Sequence, residues 1–160
     1  MLLLLVLVTR GKTEHHLKVL AAHSAARTPA DLASYPSWNP FISRASGRLM
    51  PGARLQVTLD PPGGRQMTFR PKVLAVMPRR ELRWRGRLLL PGVFDAEHRF
   101  AIEPFGAGRV RFVHEERFTG LLVPLFARGL DQPTRPGFDA MNAALKARAE
   151  APVAAATAVA

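Results

Sequence analysis

Three polar side chains stand on faces otherwise given over to large apolar residues. In Arg109-Val-Arg-Phe-Val-His-Glu-Glu-Arg-Phe118, Val110, Phe112, His114, Glu116 and Phe118 fall on one side, with Arg109, Arg111, Glu115 and Arg117 on the other. Phe94, Ala96, His98, Phe100 and Ile102 alternate in the same way with Asp95, Glu97 and Arg99. Period two is the pleat of a strand with one buried face, so His98, His114 and Glu116 share the inward side with the aromatics. A buried histidine beside a carboxylate can titrate near neutrality, which suits it to general acid–base work. The same groups also read as polar anchors for a ligand, or as structural pairs. In the structural version Glu116 meets an arginine or the start of the following helix, and the histidines bond each other or a backbone carbonyl. Buried polar groups are usually satisfied by their neighbours, which favours that version.

Little else in the chain competes for chemistry. There is no cysteine, so thiolate catalysis, disulfides and thiolate zinc sites are excluded. No nucleophile has an adjacent base, no convergent metal set occurs, and no cofactor is expected. His15, His16 and His23 lack an acidic partner at a useful spacing and read as surface residues. Gly106-Ala-Gly108 reads as a hairpin turn, not a phosphate-binding loop.

The elements that carry these residues follow from changes of period. After Gly120, Leu121, Leu122, Leu125 and Phe126, then Phe138, Met141, Leu145 and Ala149, recur at helical spacing. A last strand therefore runs into a long C-terminal helix that must cover the sheet. Pro133 and Pro136 fall inside that helix and predict a break or sharp kink, with Thr134 capping the second segment. Upstream, Leu17 to Ala22 can serve as a first strand. Thr28-Pro-Ala-Asp31 reads as a helix start with Thr28 at the N-cap, and Pro36 and Pro40 keep that helix short. Trp38 and Phe41 are expected to plug one end of the core. From Ser43 onward hairpin-sized turns separate alternating runs, which means an antiparallel meander. Met67, Phe69, Val73 and Ala75 continue its inward face, with a bulge or edge at Pro71. The fold class is α+β: a curved antiparallel sheet of about six to seven strands wrapped round the helix, with one or two short helices near the N-terminus.

At 160 residues, 48% hydrophobic and 22% charged, the chain is long enough for one domain with its own core. Expected boundaries are 1–12 for an apolar N-terminal segment, 13–151 for the domain and 152–160 for a frayed tail. The eight-residue apolar run at the start is too short to span a bilayer, and no basic stretch precedes it as a secretory signal requires. A cytoplasmic protein is expected. The formal charge of +11 permits contact with nucleic acid or an anionic membrane surface. Outward arginines 54, 70, 83, 85, 87, 99, 109, 111 and 117 have Asp95, Glu97 and Glu115 among them, so an ion-paired, solvated face is favoured. No aromatics interleave those arginines, which argues against nucleic acid.

Several segments resemble the SRPBCC superfamily, the START-like or Bet v 1-like helix-grip proteins, and within it the bacterial polyketide cyclase/dehydrase and lipid transport branch. They are Tyr35-Pro-Ser-Trp-Asn-Pro-Phe-Ile42, Glu81-Leu-Arg-Trp84, Glu97-His-Arg-Phe100, Glu115-Glu-Arg-Phe-Thr-Gly-Leu-Leu122 and Gly137-Phe-Asp-Ala-Met-Asn-Ala-Ala-Leu-Lys146. The resemblance covers residues 31 to 150 and departs from the pattern before Asp31, where no tryptophan precedes the aspartate. It implies a cavity between sheet and helix that takes a small hydrophobic ligand. Trp38, Phe41, Phe69, Trp84, Phe94, Phe100, Phe112, Phe118, Phe126 and Met141, with His98 and His114, form the expected lining. Binding or carriage is favoured over catalysis. The alternatives are a cyclase or dehydratase using His98 and His114, with Glu116, for enolisation, aldol cyclisation or dehydration, and an interaction module on the arginine face.

Overall fold

A computed structural model of the chain describes residues 17–22, 29–104, 106 and 109–151. The segments 1–12 and 152–160, the three histidines before position 24 and Thr28 lie outside the described residues. The described residues form eight strands: β1 (Leu17–Ala22), β2 (Ile42–Gly47), β3 (Leu55–Leu59), β4 (Met67–Phe69), β5 (Lys72–Met77), β6 (Glu81–Leu88), β7 (Phe94–Pro104) and β8 (Arg109–Thr119). A 3-10 helix (Leu32–Ser37) lies between β1 and β2, and one long helix, α1 (Val123–Glu150), closes the chain.

Every strand pairing is antiparallel. Five strands form one ladder in the order β1-β8-β7-β6-β5, and three form a second in the order β2-β3-β4. Pro71 accounts for the division. It has no N–H to offer a ladder, so the run from Met67 to Met77 splits into β4 and β5 around it. Main-chain bonds still join the two ladders: Leu55 N donates to the Pro71 carbonyl (2.9 Å), Val73 N to that of Ala53 (2.8 Å) and Gly52 N to that of Val73 (2.9 Å). Met67, expected inward, is 53% exposed, because it sits at the free edge that this division creates.

α1 runs unbroken through Pro133 and Pro136, against the expected break. Its Gly137, Phe138, Met141, Asn142 and Leu145 are buried, and this docked face holds the helix in register. Pro136 lies on the exposed side, where water can satisfy the carbonyl that a proline ring releases. No cap of a second segment at Thr134 is therefore needed. The early helix also differs from expectation. It is a single turn-like 3-10 element that starts after Asp31, and Asp31 makes no side-chain cap. The carbonyl of Pro29 is instead taken by the Tyr35 hydroxyl at 2.5 Å, and Leu32 N bonds back to Ala30 O (3.0 Å).

The core lies between the concave sheet and the buried face of α1. Tyr35, Ile42, Leu55, Val57, Val73, Trp84, Phe100, Phe138 and Met141 are all at most 2% exposed. Gly120 turns β8 into α1 at φ +132°, a conformation open chiefly to glycine. A Cβ there would also strike the Val93 carbonyl at 2.5 Å.

Candidate functional site

The site begins with the segment from Tyr35 to Ile42. Burial, aided by the charge of Asp31, pushes the Tyr35 phenol far above its ordinary pKa, so it remains a neutral donor to Pro29. Trp38 is fixed by its indole N–H donating to Ser34 Oγ (3.0 Å), and Arg148 lies over its ring at 5.8 Å. Asn39 Oδ1 accepts from both Phe41 N (3.0 Å) and Ile42 N (2.8 Å), turning the chain sharply into β2. Phe41 is thereby driven under α1. It meets Phe138 edge-on at 5.7 Å, and a Cβ on Gly137 would fall inside its ring. Glycine at 137 is what allows the helix this close.

Above Phe41 the fold leaves a cleft of ≈ 360 Å³. Its wall is almost wholly apolar: Phe41, Leu59, Phe69, Trp84, Phe94 and Phe118 line it, and Thr134 of α1 looks in from the helix side. Gly86 on β6 contributes open space, since a Cβ there would come within only 3.7 Å of the Phe69 ring. The mouth is edged by exposed aliphatics, with Met67 and Leu88 both lining the cleft and about half exposed. Two charged residues reach the lining, Arg87 and Glu116. Arg87 is already engaged, with Nε donating to Asp95 Oδ1 at 2.7 Å. Glu116 pairs with no arginine among the described residues and faces His98 instead.

Behind Glu116 runs a buried polar chain. The register of β7 and β8 sets His98 opposite Glu116 and Phe100 opposite His114, so the two histidines meet diagonally. His98 Nδ1 lies 3.7 Å from Glu116 Oε1, and His98 Nε2 lies 2.8 Å from His114 Nε2. His114 Nδ1 continues to Asn142 Oδ1 of α1 at 2.9 Å. Aromatic rings clamp both imidazoles. Trp84 stacks on His98 (5.2 Å, 17°) and Phe138 on His114 (3.7 Å, 15°). With His98 5% exposed and His114 fully buried, only Glu116 connects this chain to the cleft.

The residues expected to line the cavity separate into groups. Phe41, Phe69, Trp84, Phe94, Phe118 and Glu116 line the cleft. Phe100, Phe112 and Met141 are buried in the packed core with the histidines, outside the cleft lining. Phe126 is 44% exposed and touches Phe94 edge-on at 6.0 Å. Trp38 packs with Tyr35 beneath α1, away from the lining residues.

Residues 11–150 match the family model described as polyketide cyclase/dehydrase and lipid transport. The chain belongs to that family. Its fold is similar to the Zhui aromatase/cyclase from Streptomyces sp. R1128, with 20% identity over 93% of this chain and 100% of that one and a TM-score of 0.72. It is also similar to a norcoclaurine synthase point mutant from Thalictrum flavum (16% identity, 89% and 96% covered, TM-score 0.64). A START superfamily protein from Mycobacterium smegmatis is similar as well (22% identity, 88% and 98% covered, TM-score 0.61). No curated protein matches the chain. At these identities the structural likeness speaks for the fold alone.

Asn142, Gly86, Gly137 and Thr134 join the site without having been expected in it. Asn142 left a usable trace: it is a polar residue on a helix face that otherwise reads Phe138, Met141 and Leu145. The outer face of the sheet behaves as its charge pattern implies. Glu97 takes both Arg83 (3.3 Å) and Arg85 (3.1 Å), and Glu103 takes Arg111. Arg99 spans Glu81 (3.0 Å) and Glu115 (2.9 Å). Partial burial opposes the Arg99 charge, but its bonds to Glu115 and Glu81 prevail and raise its pKa. Among the described residues no helix is long and apolar enough to cross a membrane, and no cluster of three His, Asp or Glu could hold a metal ion.

Proposed function

We propose that this member of the polyketide cyclase/dehydrase and lipid transport family holds a small hydrophobic molecule in the cleft, with Glu116 meeting its polar end. The observation that carries the reading is an apolar cleft of ≈ 360 Å³ with one carboxylate in its lining. That volume lies within the roughly 300–1,000 Å³ of small-molecule sites, and an apolar wall with few polar groups is their usual make-up. Phe41, Phe69, Trp84, Phe94 and Phe118 grip the ligand, while His98 and His114 act through Glu116. Phe100, Phe112 and Met141 shape the wall from behind.

A second reading, a cyclase- or dehydratase-like acid–base catalyst, is supported by the hydrogen-bonded His98–His114–Asn142 group that stands 3.7 Å behind Glu116. A carboxylate backed by two imidazoles is suited to give and take a proton at a ligand oxygen or at carbon beside a carbonyl. Neighbours that carry names such as aromatase/cyclase and norcoclaurine synthase are compatible with it.

Native mass spectrometry of the purified protein, followed by organic extraction, tests both. A defined apolar adduct that is displaced by substitution in the cleft is the expected result. A protein that carries nothing and ignores a panel of fatty acids, flavonoids and aromatic polyketides would overturn the binding reading. Release of a chemically altered molecule would select the second.

A further inference from the structure

We infer that the end of the molecule at which the cleft opens is a docking face that rests on an anionic lipid bilayer without crossing it. Nine large apolar side chains are exposed among the described residues, and seven of them gather at this end. Met67 and Leu88 edge the cleft, and Leu89 and Leu90 follow on the β6–β7 turn. Leu121, Leu125 and Phe126 come from the start of α1. The other two, Met50 and Met77, stand by the β2–β3 and β5–β6 turns. Two uncharged stretches supply most of the patch, Leu88-Leu-Leu-Pro-Gly-Val-Phe94 and Thr119-Gly-Leu-Leu-Val-Pro-Leu-Phe126. Main-chain bonds hold them side by side: Leu121 N donates to the Gly92 carbonyl and Leu122 N to that of Val93, both at 2.9 Å. The patch is continuous with the cleft, because Phe126 meets the wall residue Phe94 edge-on at 6.0 Å.

The backbone at the tip points the same way. Leu89 holds φ +63°, which glycine adopts freely and a bulky residue only at a cost. Its side chain is 75% exposed, so packing within the fold does not offset that cost. A leucine that is both strained and wetted is unfavourable in water, and transfer into the interfacial layer of a bilayer removes the second penalty. Charge selects a bilayer over a second copy of the chain. Arg65, two residues before Met67, and Arg135, next to Thr134, are exposed beside the mouth and pair with no carboxylate among the described residues. Of the acids nearby, Asp95 is taken by Arg87, and Asp60 accepts from Gln66. At a formal charge of +11 two copies repel one another, whereas an anionic lipid surface attracts the protein. Docking goes beyond the ligand reading and holds whether or not the cleft carries a guest.

Co-sedimentation of the full chain with sucrose-loaded vesicles of equimolar phosphatidylcholine and phosphatidylglycerol tests it. The protein should pellet with these vesicles, less with phosphatidylcholine alone, and less as salt is raised. Leu89→Gly combined with Leu125→Ser removes two exposed leucines without touching the core, and glycine relieves the positive φ. The denaturation midpoint of that variant should be nearly unchanged, while its vesicle partition falls by at least about tenfold. Wild-type protein that stays in the supernatant at low salt would overturn the inference. Equal pelleting of variant and wild type would also overturn it, and would move lipid binding to the arginine-studded outer face. A dimer that forms without vesicle binding, and that the same variant dissolves, would give this face to a second copy instead.

Discussion

The two ends of the grip are built from the same kinds of side chain and do opposite things. Under the second half of α1, Phe100, Phe112, His114, Phe138, Met141 and Leu145 close-pack, each at most 6% exposed. Under the stretch near Thr134, Phe41, Phe69, Trp84, Phe94 and Phe118 surround ≈ 360 Å³ of open space. Hydrophobicity does not separate these sets. What separates them is the opposing surface. Where α1 presents Phe138 and Met141 its side chains fill the sheet's concavity; at the other end Gly86 lacks a side chain to fill it. Gly137 marks the approach of helix to Phe41 at the border. A packed end supplies rigidity, and an open end leaves room for a guest.

This contrast can be broken most severely in the packed half. Phe138→Ala removes a fully buried ring that stacks on His114 and meets Phe41. It should lower unfolding free energy by about 3–5 kcal/mol in denaturant titration. Phe94→Ala, at the half-buried wall of the cleft, should lose clearly less. Equal losses at the two positions would mean that both ends are packed alike. Next comes Gly86→Leu, which places a side chain in the cleft beside Phe69 from a residue without positive φ. The stability cost should not exceed the roughly 1–3 kcal/mol of a small-to-large replacement, while any apolar adduct seen with the wild-type protein disappears from the native mass spectrum. Retention of ligand by that variant would put the binding site elsewhere. The smallest effect belongs to the outer face. Arg85→Ala breaks the 3.1 Å pair with Glu97, but the arginine side chain is 38% exposed. The loss should be under about 1 kcal/mol and should shrink further as salt is raised. A larger, salt-insensitive loss would show that the arginine face is part of the protein's structural core.

Much of this fold was legible in the residues. Alternation in 94–102 and 109–118 placed His98, His114 and Glu116 on one inward face, because a pleat leaves no other choice. The change of period after Gly120 located α1. Two local signals misled. Pro133 and Pro136 announced a break that the docked face of α1 overrides. Thr28-Pro29 announced a helix start, whereas the Tyr35 hydroxyl holds Pro29 and the helix begins later. Both are cases of tertiary contacts outweighing local propensity. The candidate site was legible as a list of inward residues but not as a cavity, since Phe100 and Phe94 occupy equivalent positions in the pattern of one strand.

By itself the sequence determined which residues of β7 and β8 face inward, the antiparallel meander, the closing helix and the pairing of outer charges, because each depends on period, turn chemistry or neighbouring strands. Only the tertiary structure decided which inward residues fill space and which border it. It also decided that Asn142, 28 positions beyond His114, completes the polar chain, and that Glu116 is where this chain meets the cleft. Those outcomes depend on how far one element stands from another, and period along a chain carries no information about that distance.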